Sequence, residues 1–263
     1  MDRCKVKDVA ELINSFAPEK SAESFDNVGL LVGDEEAVVS GILVTLDVND
    51  STIDLAISKG YNLIVSHHPL IFTPLKRVLY KDPVGHLVCR LLANGISVYA
   101  AHTNFDKAES GTDTFLSKAM GLQEEGFLMQ DSDGSGRGLG RFGKIAPCRA
   151  GELKKKLESE FGCRAIMTCG EETIVEKIAS CAGAGGSLTE CVVERSADLY
   201  VTGEMAYHAA LDLKRKGIDV MLLSHQHSEQ RSMASLQNTL QMLLKGVKYN
   251  ISVELESACS LFL

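Results

Sequence analysis

The sequence predicts an α/β protein made of two α/β domains. Apolar runs typical of buried strands alternate with helix-forming runs along most of the 263 residues, a pattern that favours a sheet covered by helices. The second half of the chain repeats the strand–helix–strand order of the first half. The length corresponds to between one and two domains at about 150 residues each, which is sufficient for a full hydrophobic core.

The elements of the first half follow from the spacing of their apolar residues. Helical periodicity, with an apolar stripe on one face, predicts helices at residues 5–16, 51–59 and 84–93. Continuous apolar runs predict buried strands at residues 41–46, 62–65 and 96–101. Glycine or proline follows each predicted helix within two residues, as expected where a helix ends.

The second half resembles the first in detail. Residues 196–202 are similar to residues 59–66, and residues 216–222 are similar to residues 94–100. Two interpretations remain open: the ordinary repetition of strand–helix units in a doubly wound protein, or two related α/β units whose strand ends face each other. In both cases ligands are expected beyond the carboxyl ends of the strands. A last helix, with Glu229 at its start, is predicted to bury the stripe Met233, Leu236, Leu240 and Leu243.

The domain boundaries are predicted from these repeats and from loop composition. The first unit is expected to span residues 1–126 and to be completed by the C-terminal segment 220–263, and the second unit to span residues 127–219. Glycine, serine and aspartate crowd residues 131–143, which are expected to form a mobile loop or a domain junction.

Composition excludes several classes of function. The 27 Lys and Arg against 35 Asp and Glu give a net charge of −8, which disfavours a general nucleic-acid binder because such proteins carry a basic face. No apolar run approaches the ~18 residues that a membrane span needs. The first residues lack the apolar stretch of a signal peptide. We therefore expect a cytoplasmic protein that binds neither membranes nor nucleic acid in general.

Eight cysteines are scattered along the chain without any C-x-x-C pair. In a chain expected in a reducing compartment, they are predicted to be buried, reduced thiols. The alternative is a zinc site formed by four of them, although their spacing fits no zinc-ribbon pattern. These four are Cys163, Cys169, Cys181 and Cys191.

Five of the seven histidines fall in three polar segments that follow predicted strands. A single histidine after a strand is typically a hydrogen-bonded structural residue. Three such segments, two of which add a carboxylate four residues after a histidine, instead indicate a metal site, since imidazole and carboxylate are common metal ligands. The segments are Ser66-His67-His68-Pro69-Leu70, Ala101-His102-Thr103-Asn104-Phe105-Asp106 and Ser224-His225-Gln226-His227-Ser228-Glu229.

Strand geometry suggests how such a site is built. Successive residues of a strand point in opposite directions, so His67 and His68 can reach different ions. Asp106 supplies an oxygen from the neighbouring strand end, and Glu229 can bridge two ions about 3.5–4 Å apart. With His225, three imidazoles and two carboxylates would hold two divalent ions and leave positions open, as in catalytic sites. The strand-end loops are therefore predicted to face a shared dinuclear metal site, for which nitrogen and oxygen donors permit Zn, Fe, Mn, Ni or Co.

An ordered set of motifs resembles the Nif-three-like family (NGG-one interacting factor three), also known as GTP cyclohydrolase I type 2 homologues. The resemblance covers nearly the whole chain, with Phe25 where the family usually has tryptophan. The motifs, in order, are Ser24-Phe-Asp-Asn-Val-Gly-Leu-Leu-Val-Gly33, Ser66-His-His-Pro-Leu-Ile-Phe72, Ala101-His-Thr-Asn-Phe-Asp106, Gly138-Leu-Gly-Arg141, Ala182-Gly-Ala-Gly-Gly-Ser187, Val201-Thr-Gly-Glu204 and the segment from His225 to Glu229.

The resemblance implies two α/β domains, a toroidal homohexamer and a dinuclear metal site. By motif, one ion takes His67 and Asp106, the other takes His68 and His225, and Glu229 bridges both. The resemblance also places His102 beside the metals, where it contacts the substrate or a metal-bound water. The last motif departs from the family, which usually has Gly-His-Tyr where this chain has Ser224-His225-Gln226, and His227 is an addition.

Three functions are compatible with this pattern. The first is a dinuclear metal-dependent hydrolase of a nucleotide-like substrate, with GTP ring opening as the named activity, His102 transferring a proton and Glu229 in the catalytic centre. The second is a metal-containing interaction or regulatory protein without turnover, with an unknown protein partner. The third is a metal-dependent phosphoesterase.

Weaker motifs leave further alternatives open. The glycine-rich run 182–187 is either a tight structural turn or a phosphate cradle at a helix N-terminus. Glu204 and His208, four residues apart, either contribute to the substrate pocket or cap and pack a helix. His225-x-His227-x-Glu229 superficially resembles the H-x-H-x-D motif of metallo-β-lactamase folds, but the upstream segments do not fit that fold.

Overall fold

The computed structural model describes residues 3–256, which form a mixed α/β structure. Its helices are α1 (Val6–Phe16), α2 (Asp50–Lys59), α3 (Pro83–Ala93), α4 (Thr103–Asp106), α5 (Thr112–Met120), α6 (Ala150–Phe161), α7 (Thr189–Glu194), α8 (Tyr207–Arg215), α9 (His225–Gln230) and α10 (Met233–Gly246). Its strands are β1 (Gly29–Val32), β2 (Ile42–Thr45), β3 (Leu63–Ser66), β4 (Ser97–Ala100), β5 (Gln123–Gly126), β6 (Met129–Gln130), β7 (Gly138–Leu139), β8 (Arg141–Arg149), β9 (Ile166–Met167), β10 (Ile174–Ala184), β11 (Leu199–Glu204), β12 (Asp219–Leu222) and β13 (Val253–Leu255).

The chain forms two compact units. Residues 3–105 and 233–256 belong to the first, and Asp106–Ser232 forms the second. These boundaries differ from the expected divisions after residues 126 and 219. The reason is packing: α5 lies against β10 and α6, while α9 lies against β10 and β11, so both helices belong to the second unit. The segment of the first unit that follows the second therefore begins at Met233.

The first unit contains a five-stranded sheet in the order β1-β4-β3-β2-β13. The four strands from β4 to β13 run parallel, and β1 pairs antiparallel with β4. The strands β2, β3 and β4 are buried along their whole length, which explains their continuous apolar runs. Because they run in the same direction, the residues that follow them meet at one edge of the sheet.

Helices cover this sheet. The helices α2 and α3 pack against each other over a core that includes the fully buried Leu43, Ile53, Ile64 and Leu91. Burial of each such side chain contributes about 1.5–3 kcal/mol. The helix α10 packs on β2 and β13, and α1 packs on α10.

The second unit contains a six-stranded mixed sheet in the order β5-β8-β10-β11-β12-β9. Its central strands β10, β11 and β12 are parallel, and the outer pairs are antiparallel. The polar residues after β11 and β12 therefore lie at one edge of this sheet as well. The helix α9 follows β12 after two residues, so this edge carries the last histidine segment.

The expected α/β class is confirmed, and the predicted helices and strands of the first half occur with small shifts at their ends. The expected loop at 131–143 is wrong in part, because β7 and the start of β8 lie within it. Gly138 and Gly143 lie where two strands approach closely, whereas Gly134 and Gly136 lie in an open turn with positive φ. A Cβ on Gly138 would lie 2.4 Å from the Met129 carbonyl oxygen, and one on Gly143 would lie 2.0 Å from that of Gln123.

The predicted last helix also differs from the structure. It is interrupted between Gln230 and Met233, so His225 and Glu229 lie on the short α9 and the apolar stripe on the separate α10. The fourth buried residue of the stripe is Leu244, not Leu243, because α10 follows a spacing of three, four and four residues from Met233.

The described cysteines carry no disulfide bond, and Cys259 lies outside the described residues. The prediction that all are buried is only partly right, since Cys4 and Cys181 are buried and the other five are partly exposed. Burial raises the pKa of Cys4 to about 11 and that of Cys181 well above its ordinary value, as expected of protonated structural thiols. Within residues 3–256, no helix is long and apolar enough to cross a membrane.

Candidate functional site

The strand ends of the first unit bring three histidines together. His67 and His68 follow β3, and His102 follows β4. The ring centroids lie 5.1 Å apart for His67 and His68, 5.1 Å for His67 and His102, and 5.6 Å for His68 and His102. One ring nitrogen of each histidine lies within 4.8 Å of the others, which is close enough for a common metal ion.

Each of the three rings is oriented by a hydrogen bond at Nδ1. His67 Nδ1 lies 2.8 Å from the Ala101 carbonyl oxygen, His68 Nδ1 lies 2.8 Å from Asp47 Oδ1, and His102 Nδ1 lies 2.8 Å from Asp26 Oδ1. Each partner atom is an oxygen acceptor, so Nδ1 donates and the lone pair of the neutral ring lies on Nε2. This arrangement is usual for metal-binding histidines. The donor set therefore fits a divalent metal ion.

The side chain of Asp26 is fully buried and lies against His102. Besides the imidazole, its carboxylate accepts hydrogen bonds from the Thr103 backbone amide at 3.0 Å and from Thr103 Oγ1 at 2.6 Å. Burial alone would raise the pKa of Asp26, but the hydrogen bonds and the charge of His102 outweigh it and lower the pKa to about 2. A fixed carboxylate thus holds His102 in one orientation.

The second unit contains a histidine–carboxylate pair of its own on α9. His225 Nε2 lies 3.2 Å from Glu229 Oε2, as expected for residues four apart on a helix. His225 Nδ1 lies 3.2 Å from Glu204 Oε1, at the end of β11. The Glu229 side chain is only 4% exposed. Because a buried carboxylate is costly unless it is paired with positive charge, this pair is also suited to hold a cation.

A glycine at the end of β10 shapes the space around Glu229. Gly183 has a φ of +60°, and a Cβ there would lie 2.0 Å from Glu229 Oε1 and 3.3 Å from His225 Nε2. Its backbone amide donates to Ser228 Oγ at 2.9 Å, and that hydroxyl donates to the His225 carbonyl oxygen at 2.8 Å. The glycine-rich run thus acts as a close structural turn against α9.

A buried ion pair fixes this turn from the other side. Asp113, on α5, accepts hydrogen bonds from the backbone amides of Ala182 at 2.8 Å and Gly140 at 2.6 Å. Arg141 Nη1 lies 3.7 Å from Asp113 Oδ2, and both side chains are at most 3% exposed. Burial raises the pKa of Asp113, and Arg141 with the two amides opposes that shift. The pair connects α5, β8 and the residue that precedes Gly183.

The other residues that were predicted from the sequence to form or flank the site lie in the second unit. Asp106 belongs to the second unit and accepts a hydrogen bond from the Thr112 hydroxyl. His227 Nδ1 lies 3.0 Å from Ser224 Oγ. His208 is exposed on α8 and contacts the ring of Tyr207.

Among residues 3–256, the groups able to hold a metal contain histidine and glutamate but no cysteine, so the alternative zinc site at the four cysteines has no support.

Sequence reasoning missed the carboxylates that orient the histidines. Asp47 follows the buried strand β2 in the same way as the histidines follow β3, so its position at a strand end was a usable signal. Asp26 lies in an irregular segment and offered none apart from its motif.

Comparisons with known proteins agree with this architecture. The family model described as DUF34/NIF3 (NGG1p interacting factor 3) matches residues 4–258. A "GTP cyclohydrolase 1 type 2 homolog" of Clostridium acetobutylicum is 31% identical over 254 residues, 95% of this chain and 94% of the relative. "NIF3-like protein 1" of Drosophila melanogaster is 33% identical over 230 residues, 86% of this chain and 78% of the relative.

Solved structures show the same fold. A hypothetical protein of Staphylococcus aureus superposes with a TM-score of 0.90 at 27% identity, covering 100% of this chain and 99% of that chain. A Bacillus cereus protein related to NIF3 superposes with a TM-score of 0.91 at 22% identity, with 100% and 99% covered. Since the sequence match also extends over almost the whole described chain, the protein belongs to the DUF34/NIF3 (NGG1p interacting factor 3) family.

Proposed function

We propose that this chain is a dinuclear metal-dependent hydrolase of a nucleotide-like substrate, with hydrolytic opening of the GTP ring as its reaction. The observation that carries the proposal is the pair of oriented imidazoles His67 and His68, whose Nδ1 atoms are bonded to oxygen acceptors and whose Nε2 lone pairs can reach a metal ion, with His102 oriented in the same way next to them. The name "GTP cyclohydrolase 1 type 2 homolog" of the bacterial relatives supports the choice of substrate.

The proposal assigns the ligands of two divalent ions by family resemblance. His67 and Asp106 are assigned to one ion, His68 and His225 to the other, and Glu229 to both. The 3.2 Å contact between Glu229 and His225 Nε2 supports a shared cationic partner for these two side chains. Bound divalent ions would polarise the attacked group and stabilise negative charge that develops on it. The same proposal includes the homohexameric assembly and the cytoplasmic location.

His102 is proposed to transfer the proton. With Nδ1 donating to Asp26, the lone pair of the neutral ring lies on Nε2, and this atom can accept a proton from the attacking water. Asp26 keeps the ring in this tautomer and stabilises the imidazolium that forms, as an aspartate does beside a catalytic histidine. The Thr103 amide and hydroxyl hold the carboxylate in place.

Metal content tests the centre directly. Protein purified without chelator and analysed for elements should contain close to two divalent ions per chain. His208→Ala, which removes an exposed histidine from α8, should leave this content unchanged.

The two assigned carboxylates should differ in effect. Glu229→Ala should lower the occupancy of both ions, whereas Asp106→Ala should mainly empty one, because a bridging ligand serves two ions and a terminal ligand serves one. Metal content near zero after reconstitution with Zn, Mn and Fe would contradict the proposed centre.

Formate release from GTP tests the reaction. Fully metallated protein at pH 7–8 should release formate, with inorganic phosphate measured in parallel. His102→Ala should keep its metal but lose about 10²-fold or more in rate, the usual contribution of a general acid or base. Phosphate release without formate would favour a phosphoesterase, and release of neither, with metal bound, would favour a non-catalytic interaction protein.

A further inference from the structure

Two phenyl rings lie exposed beside the histidine cluster of the first unit. Phe25 is 65% exposed and Phe72 is 48% exposed. Their ring centroids lie 6.5 Å apart at an interplanar angle of 57°. Phe72 also lies 6.4 Å from His102, edge to face. Large apolar side chains left in water next to a group of convergent polar atoms are typical of ligand-binding surfaces.

The backbone explains why these rings face outward. The Asp26 carboxylate is buried against His102, and the neighbouring Phe25 lies on the exposed side. Asn27 Nδ2 donates to the Ile71 carbonyl oxygen and so fastens this segment to the one that carries Phe72. Ile71 packs against the core, whereas Phe72 remains exposed. Asp26 thus orients His102, and the hydrogen bond of the next residue, Asn27, holds the two ring-bearing segments together.

Packing within the unit does not account for this exposure. Phe105, in the same unit, is completely buried and contacts Phe16 and His67, as a core phenylalanine should. Phe25 and Phe72 contact each other but leave much of their surface open. An uncharged pair of π-faces has little attraction for a phosphate but stacks well with a planar heterocycle.

We propose that Phe25 and Phe72 form a stacking platform for the purine base of the substrate, next to the histidine cluster. The inference rests on the proposed function in that it takes the substrate to be a nucleotide, and it adds which part of the nucleotide these residues recognise. A base that stacks on each of these rings should bind about tenfold more tightly for each ring, which corresponds to about 1.4 kcal/mol. Both rings belong to the first unit, so the platform does not depend on residues of the second.

The absence of tryptophan from the sequence allows a direct test. Phe25→Trp and Phe72→Trp each introduce a single tryptophan into the full-length protein, and its fluorescence can be excited selectively over that of the six tyrosines. Guanosine should quench both in a saturable manner, whereas ribose 5-phosphate, which lacks a base, should not. The matched control is Ile174→Trp at the start of β10 in the second unit, where the original side chain is 62% exposed and no quenching beyond collisions is expected.

Binding measurements separate stacking from simple apolar contact. By equilibrium dialysis with guanosine, Phe72→Leu should weaken binding about tenfold, because leucine keeps the bulk but not the π-face. Phe72→Tyr should bind as the unchanged protein does. Equal affinity of the leucine and tyrosine variants, equal quenching at all three tryptophans, or quenching by ribose 5-phosphate would overturn the platform.

Tryptophan quenching and equilibrium dialysis with guanosine both report binding and do not depend on turnover. Saturable quenching by guanosine in a protein that releases no formate would support the platform and contradict the hydrolase. Formate release without any quenching by guanosine would support the hydrolase and overturn the platform.

Discussion

Arg141→Met is expected to lower the free energy of unfolding of the second unit by about 3–5 kcal/mol. The substitution leaves the buried Asp113 carboxylate without its cation and removes hydrogen bonds to the carbonyl oxygens of Gly138 and Gly140 at 3.1 and 2.9 Å. It also removes the 3.0 Å bond to Thr114 Oγ1. Urea-induced unfolding, followed by circular dichroism, measures the change.

An exposed ion pair of the same unit provides the control. Arg215 Nη1 lies 3.0 Å from Asp212 Oδ1, and the two side chains are 68% and 63% exposed. Arg215→Met should therefore cost less than about 1 kcal/mol. A similar decrease in the free energy of unfolding for both variants would mean that Arg141 contributes no more to stability than a surface charge. The ion pair with Asp113 would then not hold α5 to β8.

Gly183→Ala is expected to weaken metal binding by tenfold or more while the protein stays folded. The new Cβ would meet Glu229 Oε1 at 2.0 Å, and a carboxylate at the end of a flexible side chain gives way more easily than the backbone. Displacement of a ligand or of its support typically reduces metal affinity 10–100-fold. Titration of the metal-free protein with Zn²⁺, monitored by a competing chelator, measures this.

The control must carry the same backbone strain without the contact. Gly217, after α8, has a φ of +82°, and a Cβ there would meet nothing within 4 Å. Gly217→Ala should cost about 1–2 kcal/mol of stability, as any L-residue in this region does, but should bind metal normally. If both alanine variants bind metal as the unchanged protein does, Glu229 is not a ligand whose position depends on Gly183.

The parts of the fold that can be predicted from the sequence are those encoded by residues close to one another in the chain. The strands β2, β3 and β4 are predictable because strands buried on both faces are apolar at every position. The grouping of the histidines that follow β3 and β4 is predictable as well, since the carboxyl ends of parallel strands lie at one edge of the sheet. The stripe of α10 is predictable to within one residue, because helical periodicity is local.

Other features depend on contacts distant in sequence. The 2.8 Å bond from the Ala182 amide to Asp113 joins residues 69 apart, and that between His102 and Asp26 joins residues 76 apart. No local pattern distinguishes Asp113 from an ordinary acidic residue near the start of a helix. The glycines of residues 138–143 were similarly ambiguous, because glycine serves both a turn and the close approach of two strands.

The strand β13 has a consequence for how the chain folds during synthesis. It pairs with β2, and Thr45 Oγ1 donates at 2.6 Å to the buried Glu256 carboxylate, 211 residues further along the chain. The inserted unit, Asp106–Ser232, is synthesised in full before the residues of β13 are added to the chain. Until then β2, buried on both faces in the finished fold, is an open edge with unpaired amides and carbonyls, the kind of edge at which chains aggregate. A nascent chain stalled before Val253 therefore lacks the strand that covers β2, although all residues of the inserted unit have already been synthesised.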